Sequence, residues 1–461
     1  MSNEKPHKGS RRRFLHGALT GTIAAGGLSM VSLPAFAQER KTVKSALVGC
    51  GGRGNGALDN HIEASKYCGI DVKVVGLCDA YGDKASGTAK KHQVPENRVF
   101  LGFEGFKKLL ETDVEVVLFA TPPCFRPLHF EAAIQAGKHV FFEKPVAVDP
   151  PGCRKVIAAG KLAKEKGLCV VAGTQRRHSR GYRETKKAID EGAIGKIRGG
   201  AVYWCGTVPW ENPKNPEWSD ADYMCRNWVN FTEMSGDHIV EQHVHNLDIM
   251  HWYMGGPPVS ALGFGLRARR QTGNQYDFFS IDYEYPEGVH IHSMCRQISG
   301  TDGPSTGGVS EHFVGEKGIA RDLKPKDTQV FPQGCPEYPH PRERDYVQEH
   351  IDLLHGITKG AYINEAEQVA ISTAIAVMGR IAAYTGKRIE WKHMMDPDPK
   401  VHKPEIYDLT LSPTAADFET GKVTAPEDGD FALPGSGDAI RRGRRERGKD
   451  AKGAGKDAKS G

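Results

Sequence analysis

An apolar run, Ser45-Ala46-Leu47-Val48, leads directly into Gly49-Cys50-Gly51-Gly52-Arg53-Gly54. A G-x-G-x-x-G loop between a strand and a helix leaves a chain few folds to adopt. Glycines at that spacing allow a sharp turn and let the backbone come up against a pyrophosphate at a helix N-terminus. A second apolar strand, Val74-Val75-Gly76-Leu77-Cys78-Asp79, ends in an acid 25 residues beyond Gly54, where a carboxylate accepts hydrogen bonds from an adenosine ribose. An acid there repels a 2′-phosphate. NAD is therefore expected ahead of NADP, with Arg53 inside the loop as the one feature that favours the phosphate.

The segments that follow keep the same rhythm. From Val43 to about Arg176, short β-branched runs (72–79, 115–121, 139–143, 168–173) alternate with helical stretches (80–92, 103–112, 127–137, 151–166), and Gly137 and Gly167 stand where helices should stop. That alternation predicts an α/β Rossmann-type N-terminal domain over residues 38–176. After it, strand-like runs at 199–205, 260–265, 278–285 and 290–296 follow one another with few helices between them. They predict an α+β C-terminal domain over 177–395 with an open, mainly antiparallel sheet. Residues 364–384, rich in Ala, Ile, Val and Met, read as a buried helix. Residues 396–461 read as a mostly disordered basic extension in which only 406–411 looks ordered.

The net charge of +5 over 461 residues does not indicate a nucleic-acid partner. Residues 1–37 hold five basic groups against one acid and residues 438–461 nine against four, so the part that folds is slightly acidic. The N-terminus reads as a twin-arginine export signal: Ser10-Arg11-Arg12-Arg13-Phe14-Leu15, an apolar stretch from Gly17 to Leu33, and a small-residue cleavage site at Ala35-Phe36-Ala37. The mature protein is then expected in the periplasm or another extracytoplasmic space, with no integral membrane segment. That route carries folded proteins, so the cofactor would be taken up before export. The ten cysteines form no C-x-x-C pair, and Cys50, Cys78 and Cys169 lie in or beside apolar runs that read as buried strands, as buried thiols do rather than disulfides.

Two strand ends point into the same crevice as the glycine loop. Thr121-Pro122-Pro123 closes the fourth strand and Glu143-Lys144-Pro145 the fifth, both at the carboxyl edge where open sheets bind ligands. Lys144 is a candidate proton-transfer group there. Further on, Glu241, His245, Asp248 and Trp252 recur at helical steps and would share one face. Three readings stand for that segment. It is a structural polar helix; or a metal site through His238, Glu241 and His245, although the spacing is longer than H-x-x-E-H and no C-x-x-C accompanies it; or a site in which His245 is general base over a substrate hydroxyl and Glu241 orients it. Trp204, Trp210, Trp218 and Trp228 could supply an aromatic surround for a sugar.

Taken together, these pieces resemble the glucose-fructose oxidoreductase, inositol dehydrogenase and MocA family from Lys44 to Trp391. The resemblance rests on the loop Gly49–Gly54, Thr121-Pro122 with His129 on the next helix, and Gly137-Lys138-His139-Val140 before Glu143-Lys144-Pro145. It extends to Gln175-Arg176-Arg177, Gly192-Ala193-Ile194-Gly195, His245-Asn246-Leu247-Asp248 and Tyr384-Thr385-Gly386-Lys387. It implies that Gly49, Gly51, Gly52, Arg53, Gly54, Asp79, Thr121, Pro122, His129, Glu143 and Lys144 attend the cofactor. Lys144 and His245 would be catalytic, with Glu241 where the family has an aspartate and His243 where it often has a glycine. Arg176, Arg177, Trp228, Glu241 and Asp248 would meet substrate. The implied activity is oxidation of a secondary hydroxyl on a sugar, glycoside or cyclitol, and a homo-oligomer through the open sheet is expected. Outside the cytoplasm no nucleotide pool reoxidises the cofactor, which favours a tightly held NAD and a redox-neutral cycle. An NAD-dependent glycosidase working by transient oxidation and a non-catalytic exported sugar-binding protein are the alternatives.

Overall fold

The computed structural model describes residues 42–303, 308–322, 330–331, 334–339, 344–398, 400–401, 415–428 and 430–434. The segments read as export signal (1–37), as basic tail (438–461) and as an ordered run at 406–411 lie outside them. All described residues belong to one compact unit, Glu39–Gly461.

Eleven elements build the first layer: β1 (Thr42–Val48), α1 (Gly52–Cys68), β2 (Asp71–Asp79), α2 (Gly82–His92), β3 (Val99–Leu101), α3 (Gly105–Leu110), β4 (Val116–Phe119), α4 (Arg126–Gln135), β5 (His139–Phe142), α5 (Pro150–Glu165) and β6 (Val170–Ala172). The strands are parallel in the order β3-β2-β1-β4-β5-β6, so the winding reverses between β1 and β4 and opens a crevice at their carboxyl ends. Gly69, Gly137 and Gly167 take positive φ, and α5 starts on an Asp149 cap that accepts the Gly152 N–H, with prolines in its first turn.

The second layer comprises α6 (Arg180–Asp190), β7 (Ile197–Gly206), α7 (Asp220–Arg226), α8 (Thr232–Ser235), α9 (His238–Glu241), α10 (Val244–Met254), β8 (Ser260–Leu266), β9 (Phe278–Tyr285), β10 (Val289–Gln297), β11 (Val309–Gly315), α11 (Arg344–Lys359), α12 (Ala366–Thr385), β12 (Ile389–Glu390), α13 (Trp391–Met395) and α14 (Ala415–Glu419). Its strands run β11-β7-β10-β9-β8-β12, antiparallel except for β7 beside β10. One face packs on α10 and α12, whose side chains are buried around nearly the whole of α12. On the other face Phe264 and Leu266 of β8 are exposed.

Two helices late in the chain return to the first layer. Val347, Ile351 and Leu354 of α11 join Val43, Leu47, Leu58 and Phe141 in one core, and Ala366, Val369 and Ala370 of α12 join Val156, Ala159 and Ala163 of α5. Gly160 marks how closely α5 and α12 approach, since a Cβ there would lie 2.6 Å from that of Ala366. Ile363 accepts the Val170 N–H beside β6. Part of the extension expected to be disordered is ordered as well: Phe418, Val423 and Ala432 are buried. All ten cysteines are free thiols. Among the described residues no helix is long and apolar enough to cross a membrane.

Candidate active site

The glycine loop shows why these positions carry no side chain. Gly49 has φ +96°, and a Cβ on it would meet the Ala120 carbonyl carbon at 2.8 Å; a Cβ on Gly54 would lie 1.8 Å from the Gly49 oxygen. Gly51 and Gly52, in contrast, face open space. The first turn of α1 holds no acidic residue, so its free N–H groups suit an anion. Asn55 braces the loop from behind, donating to the carbonyls of Cys50 (2.8 Å) and Gly51 (3.1 Å) and accepting from Thr88. Asp79 accepts the N–H groups of Cys50 (2.7 Å) and Tyr81 (2.9 Å), while burial pushes its carboxyl up from the ordinary range.

Gly49, Gly51, Gly52 and Asp79 border a cavity of about 510 Å³ that also touches Thr121, Pro122 and His129. His129 lines it, with Nδ1 3.1 Å from the Thr121 hydroxyl and the ring stacked on Phe119; burial lowers its pKa to about 3, so it is neutral. A dinucleotide therefore has a cradle a Cβ would fill, a helix end and a ribose acceptor. The residues present fit NAD. Arg53 turns away from Asp79, donating to Glu143 and lying 3.5 Å from Glu349, with its guanidinium 4.9 Å from the Tyr346 ring. It is thus committed at the opposite end of the crevice from a 2′-phosphate.

At the β5 end, Arg126 ties the two strand termini together by donating to the carbonyls of Thr121 (2.9 Å), Glu143 (3.0 Å) and Pro145 (2.6 Å). Lys144 then projects onto Glu241, donating to its backbone carbonyl and, at 3.2 Å, to its carboxylate. The single continuous helix expected through Glu241, His245, Asp248 and Trp252 is broken. Helix α9 ends at Glu241, and Gln242-His243 form a turn before α10. The His243 ring, 2.7 Å from the Ser293 hydroxyl of β10, anchors that turn. The break aims Glu241 at Lys144 and leaves His245 buried on the next turn, its ring stacked on Trp204 at 5.8 Å. Burial, then the positive charges of Lys144, Arg176 and Arg53, hold the His245 pKa well below the ordinary histidine value. It is a neutral base beside a cation.

Other expected substrate residues are placed differently. Arg177 and Asp248 form a buried ion pair at 2.9 Å, with the Ser372 hydroxyl donating to Asp248 at 2.7 Å; buried charges require such partners. Trp228 lines the nucleotide cavity, together with Trp210 and Trp218. Arg176 donates to Glu311 and lies 5.9 Å from the Trp204 ring. Glu311 also accepts from Asn246 (2.6 Å) and Tyr182 (3.1 Å). His238 turns to Asp237 and the Phe279 ring, and among the described residues no three His, Cys, Asp or Glu side chains are grouped to hold a metal. Sequence reasoning missed Asn55, Arg126, Glu311 and Glu349. Only Asn55, directly behind the glycine loop, carried a positional signal.

Comparison with known proteins places this geometry. Residues 43–174 match an oxidoreductase family with an NAD-binding Rossmann fold, and residues 182–321 match the C-terminal domain of the same family. An inositol 2-dehydrogenase of Salmonella paratyphi B is 29% identical over 216 residues, 46% of this chain and 55% of that protein, so the chain spans about half its length. A 2,7-anhydro-N-acetylneuraminate hydratase of Escherichia coli K12 is 32% identical over 310 residues, 57% of this chain and 78% of that protein. The solved scyllo-inositol dehydrogenase of Lactobacillus casei, with bound NAD(H) and scyllo-inositol, shares the fold. It superposes with a TM-score of 0.56 at 19% identity, covering 76% of this chain and 99% of that one. With both domains matched in order, the chain belongs to the glucose-fructose oxidoreductase, inositol dehydrogenase and MocA family of NAD-binding oxidoreductases.

Proposed function

We propose that the protein oxidises a secondary hydroxyl of a sugar, glycoside or cyclitol, outside the cytoplasm, with an NAD it retains through a redox-neutral cycle. The observation that carries the reading is the Lys144 ammonium held by Glu241 beside a buried, neutral His245. NAD, when bound, supplies the hydride acceptor. His245 takes the hydroxyl proton. Lys144 donates a hydrogen bond to the same oxygen as carbonyl character grows, and Glu241 fixes the ammonium by its carbonyl and carboxylate. Trp204, parallel to His245 within 25°, offers a flat apolar wall to a sugar ring.

The twin-arginine sequence supports export of a folded, loaded protein, and outside the cytoplasm a cofactor left reduced would stop the cycle after one event. A relative named for a hydration, which carries no net oxidation, supports a cycle that restores the cofactor. The open face bearing Phe264 and Leu266 is the surface we assign to self-association. The test is the nicotinamide absorbance of full-length protein freshly purified by gel filtration, followed while sugars, cyclitols and glycosides are added. The right compound changes the absorbance, and K144A keeps its nucleotide but slows the change by ~10²-fold or more. An unaltered rate in K144A would remove Lys144 from the chemistry.

A further inference from the structure

We propose that Trp218 and Arg226, carried by the second domain, form the adenine end of the NAD site and hold the cofactor in place; this rests on the reading that the protein keeps its NAD. Asp79, as ribose acceptor, fixes the direction of the dinucleotide along the cavity. Past Asp79 the cavity continues to Tyr81 and Phe103, and the adenine ring is the part of NAD that reaches there. Its other wall is not Rossmann in origin. Trp218 and Arg226 line the same space, though they lie more than a hundred residues later in the chain.

The Arg226 guanidinium sits 4.3 Å from the Tyr81 ring centre and 5.4 Å from that of Trp218. Its two terminal nitrogens each lie 3.3 Å from the Asp83 carboxylate at the start of α2. Stacked on the tyrosine with the indole beside it, the guanidinium completes a flat, π-rich wall to the cavity, and the space against that wall is a slot for a flat heteroaromatic ring. The slot is braced. Ser219 and Asp222 cap α7 reciprocally, and Asp220 accepts the Ala425 N–H at 3.1 Å. Glu419 of α14 accepts the Phe103 N–H at 2.6 Å, and Phe418 packs on the Phe103 ring at 5.2 Å. An adenine stacked there is held in part by Arg226, whose position the Asp83 contact fixes. Lys144 and His245 are not on this wall, so the slot governs residence of the cofactor and not the proton steps.

The experiment measures binding of NAD, ADP-ribose and nicotinamide mononucleotide to nucleotide-stripped full-length protein. In W218A and R226A the dissociation constants for NAD and ADP-ribose rise about tenfold, while nicotinamide mononucleotide binds as before and the stripped proteins unfold at the wild-type temperature. D83N, on an exposed partner that leaves the cavity wall intact, speeds ADP-ribose dissociation and keeps the proposal testable should either wall variant misfold. Wild-type ADP-ribose affinity in folded W218A and R226A, or an unchanged dissociation rate in D83N, overturns the slot. Loss of NAD from wild-type protein during gel filtration counts against retention alone, because the ratio of ADP-ribose affinities still reports on the wall.

Discussion

At the scale of single residues, the site is organised around who neutralises whom. Lys144 pairs with Glu241, Arg53 with Glu143, and Arg176 with Glu311; these carboxylates are taken up by the cations, and burial followed by the three cations keeps His245 neutral. A base works only while neutral. Because its pKa lies well below 6.5, the acid limb of the pH–kcat/KM profile should fall below the ordinary histidine range. A limb centred at or above 6.5 would exclude His245 as the base. Lys144, His245 and Glu241 were legible because motif spacing points to them. Glu311 was not: a lone acid on an edge strand carries no spacing signal, and its partners Arg176 and Asn246 are 135 and 65 residues away. Glu349 is hidden for the same reason, its neighbour Arg53 lying on α1.

At the scale of elements, glycines and breaks decide more than propensity does. The alternation of strands and helices through residue 173 was readable since the central strands β4, β5 and β6 are almost wholly apolar and α1, α4 and α5 stop at glycines. The kink between α9 and α10 was not, because periodicity runs through it unchanged and only the His243–Ser293 contact reveals the turn. Helix α11 escaped notice for another reason. Val347, Ile351 and Leu354 recur at helical steps, but they stand among Arg, Asp, Glu, Gln and His, so the segment reads as polar surface. The glycine loop gives a direct test. G54A places a methyl group 1.8 Å from the Gly49 oxygen, and the loop must shift to admit it. NAD affinity should fall by at least ~10-fold in calorimetric titration, and affinity equal to wild type would show that the loop does not cradle the pyrophosphate.

At the scale of the whole molecule, buried histidines set the response to acid. His61, His129 and His243 are buried and neutral, each with its pKa lowered to about 3 chiefly by burial. The unfolded chain takes up protons on them near 6.5 and the native one does not. Their contribution is therefore complete above pH 6.5 and is lost as pH falls toward 3, at ~1.4 kcal/mol per histidine per pH unit. His178 acts in the opposite sense. Beside Asp352 and Glu365 its pKa is raised to about 10, so its contribution is complete below 6.5 and is lost as pH rises through 10. Urea unfolding should show a steep decline in stability from pH 6.5 to 4, and a flat profile there would contradict the neutral histidines.

The return of α11 and α12 to the first layer also sets a schedule for synthesis. When the ribosome has made residues 42–176, every strand of the NAD-binding sheet exists, yet one side of it still lacks Val347, Ile351 and Leu354, and α5 still lacks Ala366 and Val369. The nucleotide domain therefore cannot mature first and wait for its neighbour. Its core closes only once residues near 370 have emerged, so cofactor capture becomes a late, almost post-translational event. A fragment ending at residue 176 should bind no NAD and show no cooperative unfolding, whereas one extended through residue 434 should bind NAD and unfold cooperatively; a folded, NAD-binding short fragment would refute this order.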